Sequence, residues 1–331
     1  MQDFKSFSEK LTDLKESDFE KLALELFHFQ AKANPVYKSY LEARQIQPEK
    51  ITLLSDIPFI PIRFFKEFPV VCAPLESFEG EFTSSGTTGM ISSRHYFWSK
   101  DWYLKHALQL FEKEYGAIKN FHVLALLPAY LERQGSSLVA MADHFIQQSE
   151  SPHSGFYLYN QDELLKKLDE LRGDRKQVLL LGVTFALLDL AESGKSFSPM
   201  KNLLVMETGG MKGRRKEMIR EEVHDILKSF FQVSTIHSEY GMTELMSQAY
   251  SKGQGIYTLP SCMRVMIRDI NDPFSWSTRS QGGINVIDLA NFHSCAFIET
   301  QDLGRINEKG ELEVLGRIDN SEIRGCNLLV Q

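Results

Sequence analysis

Apolar residues alternate between helical spacing and short continuous runs over the first 250 residues. An amphipathic helix is predicted over residues 18–33, behind a capping pair formed by Ser17 and Glu20. Two more helices are predicted over residues 161–172, capped by Asn160 and Glu163, and over residues 214–231. Buried strands are predicted at four apolar runs, residues 121–127, 178–181, 203–206 and 233–236. Such alternation is typical of an α/β fold with a mostly parallel sheet.

The pattern changes after residue 253, where strand-like runs separated by turn residues predict a β-rich part. These runs cover residues 264–269, 283–288, 296–299 and 312–315. Four prolines among apolar residues over positions 58–74 predict extended backbone that lies on a core. We expect an N-terminal helical segment over residues 1–50, an α/β body over 51–252, a β-rich subdomain of that body over 253–315 and a tail over 316–331.

Charge and composition narrow the choice of partner and compartment. The 37 basic and 44 acidic residues give a net charge of −7, which does not favour nucleic acid as a partner. The four cysteines are far apart in sequence, a spacing that fits a reducing compartment rather than a disulfide framework. The longest uncharged apolar stretch, residues 178–188, is about half a membrane span. We therefore expect a cytoplasmic protein without a membrane span.

A loop rich in glycine and hydroxyl residues at positions 82–89 (FTSSGTTG) is the first candidate site. Such a loop exposes backbone N–H groups and adds hydroxyl donors, which suits phosphate oxygens. The absence of a following Gly-Lys-Ser/Thr excludes the lysine-containing P-loop. A polar surface loop fits the same composition. The candidate phosphate ligands are Ser84, Ser85, Gly86, Thr87, Thr88 and Gly89.

Three further motifs add candidate ligands. Gly209 and Gly210 follow the predicted strand 203–206, a place where a ligand often approaches backbone. In the YGMTE string of residues 240–244, Glu244 is suited to Mg²⁺ with Thr243 as a polar neighbour, and Tyr240 to stacking on a base. An ordinary turn is the alternative for each string, and for the YGMTE string taken alone it is the favoured one. The third motif pairs an Asp-x-Gly at residues 302–304 with a Gly-Arg-x-Asp at residues 316–319.

Taken in this order, the motifs resemble the signature of the adenylate-forming superfamily. The chain is most similar to the LuxE-type acyl-protein synthetases, which are related to the phenylacetate–CoA ligases. The proline-rich residues 56–61 that lead into FFK at 64–66, residues 131–138 (LERQGSSL) and the final Arg-Gly-Cys support this narrower match. The resemblance spans residues 50–331 and implies the N-terminal body of that fold, with layered α/β sheets and a β-rich subdomain.

The resemblance implies an acid–thiol ligase that uses ATP and Mg²⁺. A carboxylic acid, expected to be a fatty acid, would become an acyl-adenylate and then pass to a thiol. The glycine-loop residues would hold the β- and γ-phosphates. Thr243 and Glu244 would lie at the α-phosphate and Mg²⁺. Gly209, Gly210 and Tyr240 would surround the adenine. Asp302 would bind the ribose hydroxyls, assisted by Arg317.

Cys326 matches the position of the acyl acceptor in LuxE-type proteins, where a cysteine follows a Lys/Arg-Gly pair near the C-terminus. In this chain Cys326 follows Arg324 and Gly325, and the Arg324 charge would lower the pKa of the thiol. A buried strand cysteine is the alternative, since apolar residues follow it. An acyl reductase or an acyl-carrier protein would be the partner that takes the acyl group.

Two departures from the superfamily pattern leave other functions open. Arg94 stands where many members carry a lysine soon after the glycine loop, so Arg94 is the candidate cation. The sequence ends twelve residues after the hinge position Asp319, so we expect the C-terminal lid domain and its lysine to be essentially absent. The alternatives are an acyl- or aryl-CoA ligase of the phenylacetate type, and an adenylate-binding module that depends on a partner.

Overall fold

The computed structural model describes residues 2–84, 91–128, 135–158, 160–210, 218–277 and 281–318. Five of the glycine-loop candidates, Ser85, Gly86, Thr87, Thr88 and Gly89, lie outside these residues, as does Cys326. The first four residues of the helix predicted over 214–231 lie outside them as well.

The helices fall in two groups, three at the N-terminus and the others between the strands. The α-helices of the described residues are α1 Gln2–Thr12, α2 Phe19–Ala33, α3 Pro35–Ala43, α4 Phe64–Glu67, α5 Lys100–Tyr115, α6 Ser137–Gln148, α7 Gln161–Glu170, α8 Thr184–Ala191 and α9 Arg220–Phe231. Short 3₁₀ turns cover Glu16–Asp18, Pro48–Lys50, Leu54–Asp56, Leu75–Ser77, Ile118–Asn120 and Leu289–Asn291.

The strands belong to one large sheet and one separate hairpin. In chain order they are β1 Ile60–Pro61, β2 Gly80–Thr83, β3 Arg94–Phe97, β4 Phe121–Leu126, β5 Gly155–Tyr157, β6 Gln177–Val183, β7 Leu203–Thr208, β8 His237–Tyr240, β9 Ala249–Ser251, β10 Ile256–Thr258, β11 Met263–Arg268, β12 Gln281–Asp288, β13 Phe297–Ile306 and β14 Leu312–Arg317. Strands β2 and β3 form the hairpin.

The large sheet has the order β11-β12-β13-β14-β10-β9-β8-β7-β6-β4-β5, and β1 pairs with β13. Strands β5, β4, β6, β7 and β8 run parallel, while the neighbours from β8 to β11 along this order pair antiparallel. The α/β fold class is confirmed. The β-rich part continues the same sheet, so that the carboxyl end of β8 lies near the antiparallel strands.

Two hydrophobic cores support the sheet. The first packs helices α5 to α9 around the parallel strands, with Leu180 and Val205 fully buried. The second packs the N-terminal helices on the antiparallel part, where the rings of Phe27 and Phe297 meet edge to face at 6.0 Å. Met206 belongs to the first core and Tyr240 to the second, so the end of β8 lies where both cores meet.

The local helix predictions are partly confirmed. The Asn160 cap is confirmed, because its Oδ1 accepts a 3.1 Å hydrogen bond from the Glu163 N–H. The Ser17 cap is wrong, because residues 16–18 form a 3₁₀ turn and helix α2 begins at Phe19 without a side-chain cap. The helix predicted over residues 214–231 corresponds to α9, which begins at Arg220. Ile219 directly precedes α9, and its side chain is exposed.

Three of the four predicted parallel strands are confirmed as β4, β6 and β7, and the fourth is wrong. Residues 233–236 (VSTI) form the connection into β8, which begins at His237. Ser238, Glu239 and Tyr240 of β8 are buried in the middle of the sheet, where β7 and β9 pair with the strand on both sides. The proline-rich stretch is extended at β1 but also contains the one-turn helix α4, which occupies positions without proline.

No helix within the described residues is long and apolar enough to cross a membrane.

Candidate active site

The carboxyl ends of β7 and β8 bring three of the predicted residues to one edge of the sheet. The two strands pair in parallel, with Thr208 opposite Glu239. Gly209 follows β7 with φ of +78°, a left-handed conformation that favours glycine, and Gly210 comes next. Tyr240 is the last residue of β8 and is buried. This edge has the position at which ligands bind in α/β sheets.

Asp302, on β13 of the antiparallel part, also lies beside this edge. The Tyr240 hydroxyl donates a 2.8 Å hydrogen bond to Asp302 Oδ2. Arg317 lies opposite Asp302 in the pairing of β13 with β14, with its Nε 3.7 Å from Oδ1. Burial raises the pKa of Asp302, while the Arg317 charge and the Tyr240 hydroxyl oppose the rise. The predicted ribose ligand, its helper and the predicted base neighbour therefore form one connected group.

The turn after β8 holds Thr243 and Glu244 at the same edge. The Glu244 backbone carbonyl accepts a 2.7 Å hydrogen bond from Asn291 Nδ2, which fixes the turn. The Glu244 side chain is buried, and burial raises the pKa of its carboxyl. The nearby Ser93 hydroxyl and the positive charges of Arg317 and Lys66 oppose the rise.

A magnesium ion fits this turn by chemistry. Nearby positive charges favour the ionised form of the buried Glu244 carboxyl, and the Thr243 hydroxyl is next to it in sequence. These two groups offer the oxygen ligands that Mg²⁺ prefers. Within the described ranges no group of three or more His, Cys, Asp or Glu side chains is arranged to hold a metal. Mg²⁺ commonly takes only one or two carboxylates and completes its shell with substrate phosphates and water, so the residues present are sufficient.

The hairpin of β2 and β3 brings together the two flanks of the predicted phosphate loop. Ser84 and Ser93 close its end, since the Ser84 N–H donates to the Ser93 carbonyl at 3.0 Å and the Ser93 N–H donates to the Ser84 Oγ at 2.8 Å. Arg94, the predicted cation, begins β3 with an exposed side chain. The Thr83 N–H donates to the Gly135 carbonyl at 2.7 Å, which attaches the hairpin to the start of α6.

Two residues that the sequence interpretation did not assign also face this site. His95, on β3, bonds through Nδ1 to the Thr243 carbonyl at 2.8 Å, and burial lowers the pKa of its ring to about 4. Lys66, on α4, is half-buried, and among the described residues no carboxylate oxygen lies within 4 Å of its ammonium. A single histidine or lysine has no spacing signal, and only the place of Lys66 in the FFK string pointed to it.

The fold is shared with adenylate-forming ligases of known structure. A 2-hydroxyisobutyryl-CoA ligase in complex with 2-HIB-AMP and CoA superposes with a TM-score of 0.65 and 13% identity, covering 92% of this chain and 70% of that one. ATP-bound MatB from Rhodopseudomonas palustris superposes with a TM-score of 0.53 and 17% identity, covering 75% of this chain and 49% of that one. At these identities the likeness defines the fold class, the body of an adenylate-forming ligase.

The sequence narrows the class to one family. Residues 119–331, more than half of the chain, match the family described as acyl-protein synthetase, LuxE. The chain belongs to the LuxE family of acyl-protein synthetases and is a ligase. It is similar to a long-chain-fatty-acid–luciferin-component ligase of Aliivibrio fischeri, with 20% identity over 338 residues that cover 93% of this chain and 86% of the relative.

Proposed function

We propose that this ligase activates a carboxylic acid of the fatty-acid class with ATP and transfers the acyl group to a protein thiol, its own Cys326. The observation that carries the proposal is the grouping of Tyr240, Asp302 and Glu244 at one sheet edge, beside the flanks of the glycine loop. The adenylate in the similar 2-hydroxyisobutyryl-CoA ligase and the long-chain fatty acid in the name of the curated relative support this chemistry.

In the first half-reaction a carboxylate oxygen attacks the α-phosphorus of ATP. The bond between the α-phosphorus and the bridging oxygen breaks, and pyrophosphate leaves with its electron pair. Because carboxylate and triphosphate repel each other, the site must neutralise the phosphates and align the attacking oxygen. Ser84 and the loop residues Ser85, Gly86, Thr87, Thr88 and Gly89 would hold the β- and γ-phosphates, with Arg94 as an added cation.

The nucleoside would lie along the strand ends. Gly209 and Gly210 would let the adenine approach backbone, with Tyr240 beside it. Asp302, oriented by Tyr240 and paired with Arg317, would accept hydrogen bonds from the ribose hydroxyls. Thr243 and Glu244 would hold Mg²⁺ at the α-phosphate, and that ion would withdraw charge from the phosphate oxygens.

In the second half-reaction a thiolate attacks the acyl carbon, and the bond from that carbon to the AMP oxygen breaks. We assign the thiolate to Cys326, with residues 316–331 as a hinge-like segment and acceptor tail. Residues 1–50, 51–252 and 253–315 would form the helical segment, the α/β body and the β-rich subdomain. An acyl reductase or a carrier protein would then take the acyl group from Cys326.

The second candidate is direct transfer to CoA, because the similar 2-hydroxyisobutyryl-CoA ligase was solved with CoA in the thioesterification state. Free CoA would then take the place of Cys326 in the second half-reaction, and no acyl group would remain on the protein. The two functions share the adenylation step and differ only in the acceptor.

Pyrophosphate release from ATP, measured with a panel of fatty and aryl acids and no CoA, tests the adenylation step. Release stimulated by fatty acids is expected, and no release with any acid would contradict the proposal. Acyl transfer is tested with labelled acid on Cys326→Ala, which should keep acid-dependent pyrophosphate release and lose the hydroxylamine-labile label.

Cys72→Ala is the control, because Cys72 is a buried thiol whose Sγ donates to the Ser294 carbonyl. This variant should keep the label. An undiminished label on Cys326→Ala would exclude Cys326 as the acceptor. Efficient thioester formation on free CoA by the same variant would favour the CoA ligase.

A further inference from the structure

A single buried histidine joins two parts of the site that lie almost 150 residues apart in sequence. His95 Nδ1 lies 2.8 Å from the Thr243 carbonyl oxygen, and the His95 side chain has no solvent exposure. A carbonyl oxygen only accepts hydrogen bonds, so Nδ1 carries the proton and donates it. The bond therefore fixes the tautomer and the orientation of the ring.

The two ends of this bond lie in the segments proposed to hold different phosphates of ATP. His95 lies two residues after Ser93, which closes the hairpin that flanks residues 85–90. Thr243 lies next to Glu244, the proposed Mg²⁺ ligand. The Ser93 hydroxyl also lies close enough to the Glu244 carboxyl to lower its pKa, so the same two segments approach each other at a second point. The hairpin and the turn after β8 are thus adjacent at both points, and the His95 bond holds them together.

Apart from this bond, the described residues around His95 offer its ring aromatic contacts but no second polar partner. The Phe65 ring meets it edge-on at 5.4 Å, and the His293 ring stacks on it at 5.7 Å. Its Nε2 is buried and has no hydrogen-bond partner in the part of the chain that the structure describes. A buried polar atom without a partner costs free energy that a phenylalanine at this position would avoid. The bond to Thr243 is the contact that a phenylalanine would lack.

We infer that His95 is a positioning residue for adenylation, which holds the glycine-loop hairpin in register with Thr243 and Glu244. The inference rests on the proposed function. In-line attack on the α-phosphorus requires that the groups at the β- and γ-phosphates keep a fixed relation to those at the α-phosphate, and a misplacement of about 1 Å costs about 100-fold in rate. His95 fixes this relation without contacting the substrate.

Two substitutions separate positioning from packing. His95→Phe keeps the ring contacts with Phe65 and His293 but removes the donor. His95→Asn gives up ring volume but places an amide nitrogen near the position of Nδ1, so it restores the donor to Thr243. Acid-dependent pyrophosphate release gives kcat and the KM of ATP, calorimetry gives the ATP affinity, and thermal unfolding reports stability.

We expect kcat/KM for ATP to fall about 100-fold in His95→Phe. In His95→Asn, kcat/KM should be at least about tenfold higher than in His95→Phe, even though the Asn variant has the lower melting temperature. His122→Phe is the matched control. His122 is also buried and bonds through Nδ1 to Ser151 Oγ at 2.6 Å, but it lies on β4 at the opposite end of the parallel strands. This control should change the melting temperature and leave kcat/KM unchanged.

Two kinetic results would overturn the inference: wild-type kinetics in His95→Phe, or equal losses in His95→Phe and His95→Asn that follow their melting temperatures. If the unmodified protein releases no pyrophosphate with any acid, the proposed function fails, and the ATP affinity then decides. A tenfold weaker ATP affinity in His95→Phe, recovered in His95→Asn, would still support a positioning role for His95. Equal affinities in all variants would exclude that role.

Discussion

The Tyr240 hydroxyl and the Asp302 carboxylate form a 2.8 Å hydrogen bond that connects the parallel and antiparallel parts of the sheet. Tyr240 ends β8 and Asp302 lies on β13, with β9, β10 and β14 between them in the sheet order. Both side chains are buried. The other carboxylate oxygen lies 3.7 Å from Arg317 Nε, so the two oxygens of Asp302 have different partners.

Removal of the Tyr240 hydroxyl should therefore weaken ATP binding. Tyr240→Phe keeps the ring but leaves a buried carboxylate with one donor fewer, and a hydrogen bond to a charged group contributes about 1.5–3 kcal/mol. We expect the Kd for ATP, measured by calorimetry, to rise about tenfold or more. Tyr37→Phe is the control, since the Tyr37 hydroxyl is equally buried but donates to the Pro58 carbonyl. Equal ATP affinity in both variants would contradict the role of Asp302.

The sequence predicts an element correctly where its own residues determine the element, and fails where contacts with residues distant in sequence determine it. Strand β6 was predicted because its own apolar run is buried on both faces. Strand β8 was missed because His-Ser-Glu-Tyr is polar, and only its pairing with β7 and β9 buries it. The likeness to a known family identified Tyr240 and Asp302 one by one, but their contact joins residues 62 positions apart, which no local pattern encodes.

Lys66 should contribute to ATP binding through its charge. Its ammonium lies near enough to Glu244 to oppose the rise in that carboxyl's pKa, and no described carboxylate pairs with it. Lys66→Met should weaken ATP binding severalfold at low salt, with a smaller effect at high salt because ions screen the interaction. In the control Lys119→Met, an exposed lysine paired with Glu150 at 2.6 Å is removed, and ATP binding should be unchanged. A salt-independent loss in Lys66→Met would indicate packing instead of charge.

Gly282 is required by the close approach of two backbones at the β11–β12 pair. A Cβ at this position would lie 2.1 Å from the Arg268 carbonyl oxygen, a backbone atom that cannot turn away. Gly282→Ala should lower the free energy of unfolding by about 1–3 kcal/mol, measured by urea denaturation. Gly155→Ala on β5 is the control, because a Cβ there meets no atom within 4 Å. Similar stabilities for the two variants would mean that β12 shifts without cost.

His106 should make the folded protein sensitive to acid. Its Nε2 lies 3.0 Å from Ser247 Oγ, which gives its own proton to Asp288 Oδ1 at 2.7 Å, so Nε2 is the donor. Burial lowers the pKa of His106 to about 4 from an ordinary value of 6.5. Below pH 6.5 the His106 ring therefore binds a proton in the unfolded chain but not in the folded protein. The free energy of unfolding consequently falls as the pH drops from 6.5 towards 4.

The matched variant is His106→Gln, because a glutamine amide nitrogen takes the place of Nε2 but does not titrate. Unfolding by urea at pH 7.5 and pH 5 gives the loss of stability for each protein, and other buried histidines contribute equally to both. The unmodified protein should lose about 2 kcal/mol more than the variant over this interval, the contribution of one histidine with that pKa gap. Equal losses would mean that the His106 ring takes up its proton without unfolding, which requires water to reach Nδ1 beside the stacked Trp102 ring.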